Sequence, residues 1–147
     1  MKPILLIIDG MDRTGKTSVI KEINKQTNYA PLIIDRGPIG YKAYSELFNK
    51  DNKPEDYDML ETSLLHVNHL CVYLFADENI IYNRCIDTNE PLIYKGIREN
   101  LRLYKKYYDK SILNKIILDS GKYTTKEIVK IILNEVEKNG NKNKCNF

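Results

Sequence analysis

Apolar residues in this chain come in short unbroken runs. Longer stretches separate the runs, and in these apolar positions recur every three or four residues. Ile4-Leu5-Leu6-Ile7-Ile8, Leu32-Ile33-Ile34, Cys71-Val72-Tyr73-Leu74-Phe75 and Lys115-Ile116-Ile117-Leu118 are runs of strand length. They offer no polar face to water, so they read as strands buried on both sides. The stretch 15–27 sets Val19, Ile20 and Ile23 on one helical face and Lys21, Glu22 and Lys25 on the other. Further helices are expected over 39–49, with Tyr41, Tyr44, Leu47 and Phe48, and over 55–68, with Leu60, Leu64 and Val67 on one face. Others follow over 79–85 and 97–108. A last one covers 125–138, capped by Thr124 or Thr125, with Ile128, Ile131, Ile132 and Val136 facing inward. Residues 49–54 and 87–95 read as polar loops, and Gly37-Pro38 marks a turn. Strands alternating with helices predict an α/β fold: three layers, α/β/α, around a parallel sheet of about four strands. Ligands of such sheets sit beyond the carboxyl ends of the strands.

Composition narrows the class without naming a chemistry. With 147 residues the chain fits one domain, assigned to 1–138, followed by a polar tail, 139–147, expected to fray. Its 23 basic and 20 acidic residues leave a net charge of +3, which gives no strong nucleic-acid signal. No apolar run reaches membrane-spanning length. The three cysteines, Cys71, Cys85 and Cys145, lack metal-ligand spacing. Their odd number, with no leader peptide, favours reduced thiols and a cytoplasmic location, that of a host if the gene is phage-encoded.

Residues 10–17 change the picture. Gly10-Met11-Asp12-Arg13-Thr14-Gly15-Lys16-Thr17 is the full G-x-x-x-x-G-K-[ST] pattern of a phosphate-binding P-loop. It stands between the first strand and the first helix, as the motif requires. Its chemistry calls for ATP and Mg2+: glycines let backbone N–H groups wrap a phosphate, Lys16 reaches the β and γ oxygens, and the Thr17 hydroxyl binds the metal. Ser18 follows at the helix start, where the positive dipole end favours an anion. Asp12 and Arg13 are unusual inside such a loop. An arginine there can reach a phosphoryl group in flight and offset its growing charge. A carboxylate beside phosphate is unfavourable unless it serves a hydroxyl, an amine or a metal. The pair suggests a loop that also touches the acceptor.

Asp9-Gly10-Met11-Asp12-Arg13-Thr14-Gly15-Lys16-Thr17-Ser18 resembles the P-loop of thymidylate kinases, which commonly read E-G-x-D-[RG]-x-G-K-[ST]. That resemblance implies that Asp12 meets the sugar 3′-hydroxyl of the bound monophosphate and that Arg13 is catalytic. Asp35-Arg36 is similar to the family's D-R motif at a strand end. By the same resemblance Arg36 binds the acceptor phosphate and Asp35 helps to hold the magnesium shell. Arginine suits that task because its planar fork contacts phosphate bidentately. The segment from Ala76 to Arg84 looks like the family's helix leading into a lid, which implies Arg84 as a donor-nucleotide ligand. Leu118 to Tyr123 looks like the loop that contacts adenine. The resemblance also implies a homodimer.

The chain departs from that family in being much shorter. The stretch from Lys16 to Asp35 cannot hold the usual extra strand and helices, so the acceptor-binding region is reduced. Compact phage-type members fit this plan best. The lid stretch Asp87 to Tyr94 has no arginine or lysine, which suits members that keep the catalytic arginine in the P-loop. Arg36-Gly37-Pro38 aligns equally with an R-x-P at the end of the family's second strand. Arg36 then keeps its role and Asp35 loses it.

Other signals are weaker. Tyr41 and Tyr44 are candidates to stack on an acceptor base, although packing of an amphipathic helix accounts for them as well. Lys95, Arg98, Arg102, Lys105 and Lys106 read chiefly as a solvated face, with Arg98 best placed to approach phosphates. His66 and His69 lie three apart in the expected helix, without a third zinc ligand. The expectation is therefore a magnesium-dependent kinase. It moves the γ-phosphoryl of ATP to a deoxynucleoside monophosphate, dTMP or a related pyrimidine. The rivals are a kinase of nucleosides or polynucleotide 5′ ends, with Asp35 as base, and a nucleotide-binding regulator without an acceptor.

Overall fold

The computed structural model describes residues 2–87 and 96–142. Four parallel strands, β1 (Leu5–Asp9), β2 (Leu32–Asp35), β3 (His69–Phe75) and β4 (Lys115–Asp119), form one sheet in the order β2-β1-β3-β4. Leu5 pairs with Leu32 on one side and His69 on the other, and Cys71 pairs with Lys115. Six α-helices surround the sheet: α1 (Lys16–Thr27), α2 (Pro38–Leu47), α3 (Asp58–Leu64), α4 (Glu78–Asp87), α5 (Ile97–Lys110) and α6 (Thr125–Lys142). The α/β class, the parallel sheet and its four strands agree with the reading of the sequence.

The side-chain alternation of β1 divides the core in two. Leu6 and Ile8 face α1 and α6, joining Val19, Ile23, Ile128 and Ile132. Ile7 faces the other way, with Ile39, Ala43, Tyr44, Ile81, Leu103 and Tyr104. Because strand order reverses between β1 and β3, the loops that leave these two strands diverge and open a crevice at their carboxyl ends.

The stretch 55–68 differs from the single helix expected. A short 3-10 turn, Pro54–Tyr57, precedes α3, which ends at Leu64, and Leu60 and Val67 are exposed. Pro54 sets the tight turn, and α3 is anchored by charge rather than by an apolar stripe. Lys42 Nζ lies 2.5 Å from Asp58 and 3.1 Å from the buried Glu61. The histidines do not share a helix: His69 opens β3, where its Nε2 accepts the Asn114 N–H at 3.0 Å. Among the described residues no group of three or more His, Cys, Asp or Glu could hold a metal. Helix α6 continues to Lys142, into the stretch read as tail. The lid residues 88–95, Cys145 and the rest of 143–147 lie outside the described residues. No described helix is long and apolar enough to cross a membrane.

Candidate functional site

A cleft of about 810 Å³ opens over the carboxyl ends of the strands. Its floor is the 10–17 loop. Gly10 (φ 146°) leaves β1 so close to β3 that a Cβ would run into the Leu74 carbonyl. Only glycine fits there. Gly15 (φ 92°) caps α1, and no side chain caps the helix or places a carboxylate in its first turn. The free N–H groups of that turn therefore remain available to an anion. Thr17 and Ser18 stand exposed at its start and line the cleft. Thr14 is buried and donates to the Met11 carbonyl at 2.7 Å, which closes the loop on itself. Met11 turns into the core, so only its backbone belongs to the loop.

Lys16 reaches back over the loop. Its Nζ donates to the Gly10 carbonyl at 2.6 Å and lies 3.8 Å from Asp35 Oδ1. Burial, and next the Arg36 charge, push its pKa below the ordinary lysine value, while Asp35, Asp9 and Asp12 oppose the shift.

On the β2 side the cleft is lined by Asp12, Asp35, Arg36 and Tyr41. Arg36 lies over the Tyr44 ring, 4.1 Å from its centroid, and its Nη2 is 3.9 Å from Asp12 Oδ1. Its Nε is buried with no hydrogen-bond partner. Tyr44 thus does not meet a ligand with its face, as the sequence reading allowed. It is buried and serves as the plate under Arg36. Tyr41 does line the cleft, and its ring stacks on Tyr57 with centroids 5.4 Å apart. On the β4 side the lining passes to Arg84, Ser120, Tyr123 and Ile128. Arg98 is elsewhere. Its exposed side chain pairs with Glu78 at 3.0 Å and does not line the cleft. It takes a solvent-facing position of α5, whose buried face is set by Ile97, Asn100, Leu103, Tyr104 and Tyr107.

Two of the three arginines that line the cleft share a backbone peculiarity. Arg13 (φ 69°) and Arg36 (φ 78°) are both left-handed, a conformation that costs a residue with a Cβ about 1–2 kcal/mol. Arg36 is held there by Asp9. This fully buried carboxylate accepts N–H bonds from Gly37 at 3.0 Å, Gly40 at 2.8 Å and Gly10 at 2.9 Å. Burial raises the Asp9 pKa, while the three N–H groups and the Lys16 charge work to lower it. A Cβ on Gly40 would collide with Asp9 Oδ1 and approach the Arg36 stem and the Tyr104 hydroxyl, so close packing demands glycine here too. Arg13 is held by Arg84, whose Nη1 donates to the Arg13 carbonyl at 2.8 Å.

Three supporting residues escaped the sequence reading. Asp9 is one. Tyr104 is the second: its ring stacks on Tyr73 and its hydroxyl donates to the Gly10 carbonyl at 3.0 Å. Asn100 is the third. It is buried one helical turn from Tyr104 on α5, and neither amide atom has a partner. An unmet buried amide costs about 1–3 kcal/mol. A polar residue on the apolar stripe of 97–107 was the available signal.

In fold this chain is similar to the YorR protein of Bacillus subtilis. The structure of that protein in complex with phosphorylated GDP matches with a TM-score of 0.77. The match covers 90% of this chain and 95% of that chain at 22% sequence identity. Identity at that level shows a common fold. No protein-family model and no curated protein matches the sequence.

Proposed function

We propose that this chain is a kinase that moves the γ-phosphoryl of a nucleoside triphosphate, ATP by expectation, to a deoxynucleoside monophosphate, with a pyrimidine such as dTMP as the acceptor. One observation carries the reading. A single cleft runs across the Gly10–Thr17 loop, with an arginine and two carboxylates at one end and a tyrosine–isoleucine surface at the other. A donor laid along the β4 side would bring its terminal phosphate to Lys16. An acceptor phosphate at Arg36 would then meet it from the β2 side. Phosphoryl transfer is catalysed mainly by such positioning and by charge compensation, which is what Lys16, Arg13 and Arg36 supply. Asp12, beside Arg36, is available to a sugar hydroxyl. The phosphorylated GDP bound to YorR is in keeping with a nucleotide occupant of this fold.

The residues present suit magnesium. The Thr17 hydroxyl and the Asp35 carboxylate both line the cleft, and both are hard oxygen ligands. Magnesium needs only one or two such protein oxygens when phosphates and waters complete its shell. It would supply charge neutralisation between the β and γ oxygens.

Incubating the protein with ATP or GTP, magnesium and a panel of nucleosides, nucleoside monophosphates and 5′-hydroxyl oligonucleotides tests the reading. Phosphorylation of a deoxypyrimidine monophosphate supports it. Transfer only to nucleosides or 5′ ends favours Asp35 as a base, and turnover with no acceptor favours a regulator. Arg13→Ala should lower kcat by about 10³-fold and nucleotide affinity by less than about threefold. An equal loss in both would remove the transition-state role of Arg13.

A further inference from the structure

We propose that Arg84 is a positioning residue that acts through Arg13. It ties the backbone of the glycine loop to the β4–α6 loop and does not stack on the donor base. The kinetic part of this inference rests on the kinase reading above; the structural part does not. Arg84 lies in the last turn of α4, far from Arg13 in sequence. Its guanidinium is engaged in a fixed pattern: Nη1 donates to the Arg13 carbonyl at 2.8 Å and to Ser120 Oγ at 3.1 Å, and Nη2 donates to the Ser120 carbonyl at 2.9 Å. Ser120 is itself anchored to the end of β3. Its N–H and its hydroxyl both donate to the Phe75 carbonyl, at 2.8 Å and 3.1 Å. Arg84 is therefore a strut with one foot on the sheet and the other on the loop.

The strut meets the loop at a strained position. Arg13 is a non-glycine residue in the left-handed region, and its carbonyl orientation follows from that backbone. The equivalent strain at Arg36 is held by the buried Asp9 through N–H groups of the following turn. At Arg13 a hold comes from Arg84. A charge-assisted bond to its carbonyl does the corresponding work from the opposite side. Without the strut the Arg13 backbone can relax, and its side chain then leaves the position in which it faces a phosphoryl group. A residue that stacked on the base would contribute to donor binding. A residue that fixes Arg13 contributes to turnover.

The test uses the full chain and Arg84→Met, which keeps the apolar stem and loses the bonds to Arg13 and Ser120. Hydrogen exchange of the 10–16 backbone, measured without nucleotide, should quicken while β1 stays protected. In kinetics kcat should fall about 10- to 100-fold with KM for ATP changed less than about threefold. In an Arg13→Ala background the same substitution should cost less than about twofold, because its effect is routed through Arg13. Should Arg84→Met fail to fold, Arg84→Lys, which keeps charge and stem but cannot reach both loops, is read in the same way. A KM rise at unchanged kcat, a full loss in the Arg13→Ala background, or unchanged loop exchange overturns the proposal. If the unaltered protein transfers no phosphoryl group, the kinase reading falls and the exchange result alone decides the strut.

Discussion

The β1–α1 loop and the β2 side of the cleft face the same space, but they are built differently. The loop is contiguous in sequence and mostly backbone. Two left-handed glycines, the free N–H groups of α1 and one lysine form the surface it turns to the cleft. The β2 side is assembled from side chains on distant elements. Arg36 follows β2, Tyr44 comes from α2, Tyr104 from α5, and Asp9 from β1. A backbone cradle tolerates change in most of its side chains. A side-chain cradle fails when any plate beneath it shifts. The first end is therefore robust and generic, and the second is specific and easily lost.

The largest expected effect falls on the loop. Lys16→Ala removes a side-chain charge that bridges the loop carbonyl and Asp35. It should lower kcat/KM for ATP by about 10³-fold, whatever acceptor is offered. Steady-state kinetics at saturating acceptor measure this. A loss confined to one acceptor would abolish the contrast between the ends.

Arg36→Met sharpens the contrast from the other side. It keeps the stem over Tyr44 and removes the charge-assisted bonds to a phosphate, worth about 1.5–3 kcal/mol. The acceptor KM should rise about 10- to 100-fold, while ATP affinity, read by fluorescent-nucleotide displacement, changes less than about twofold. Comparable losses for both substrates would mean that Arg36 serves the donor.

Gly40→Ala tests whether the side-chain cradle is as brittle as it looks. The new methyl collides with Asp9 Oδ1 and presses on the Arg36 stem. The expected cost is about 1–3 kcal/mol of stability, seen as a melting temperature lower by roughly 3–10 °C. Acceptor affinity should weaken more than nucleotide affinity, because the Arg36 stem meets the new methyl directly, whereas the loop feels it only through the Asp9 and Tyr104 bonds to Gly10.

The same contrast explains what the sequence disclosed. The runs that became β1 to β4 were legible because strands buried on both faces leave no polar positions, and the glycine loop was legible because its parts are neighbours in the chain. Arg36 was found because it abuts a strand end. Asp9 was visible only as a letter before the motif. Its role depends on Gly37 and Gly40 folding back over it, a contact no periodicity encodes. Tyr44 was left open between two readings because residue type and helical spacing are the same for a stacking ring and for a supporting one, and the structure gives it the supporting place. Helix α3 was overextended because its anchor is the Lys42–Asp58–Glu61 cluster, and of the apolar face expected from Leu60, Leu64 and Val67 only Leu64 is buried.

The smallest effect probes whether the two ends are electrically joined. Burial and then the Arg36 charge lower the Lys16 pKa, and Asp35 raises it. The profile of kcat/KM for ATP reports ionisations of the free enzyme, so its alkaline limb should fall below the ordinary lysine value of 10.5. The sign follows directly. Lys16 acts as a cation, activity is retained below its pKa, and the limb descends as pH rises through it. Arg36→Met removes a like charge, raises the Lys16 pKa and should move the limb to higher pH. Asp35→Asn removes an opposite charge, lowers the pKa and should move the limb the other way. The position of the limb is the readout, not the height of the plateau, so a loss of turnover in either variant does not obscure it. Opposite displacements would mean that the acceptor end tunes the donor lysine across the cleft. A limb indifferent to both substitutions would leave the two ends joined in geometry alone.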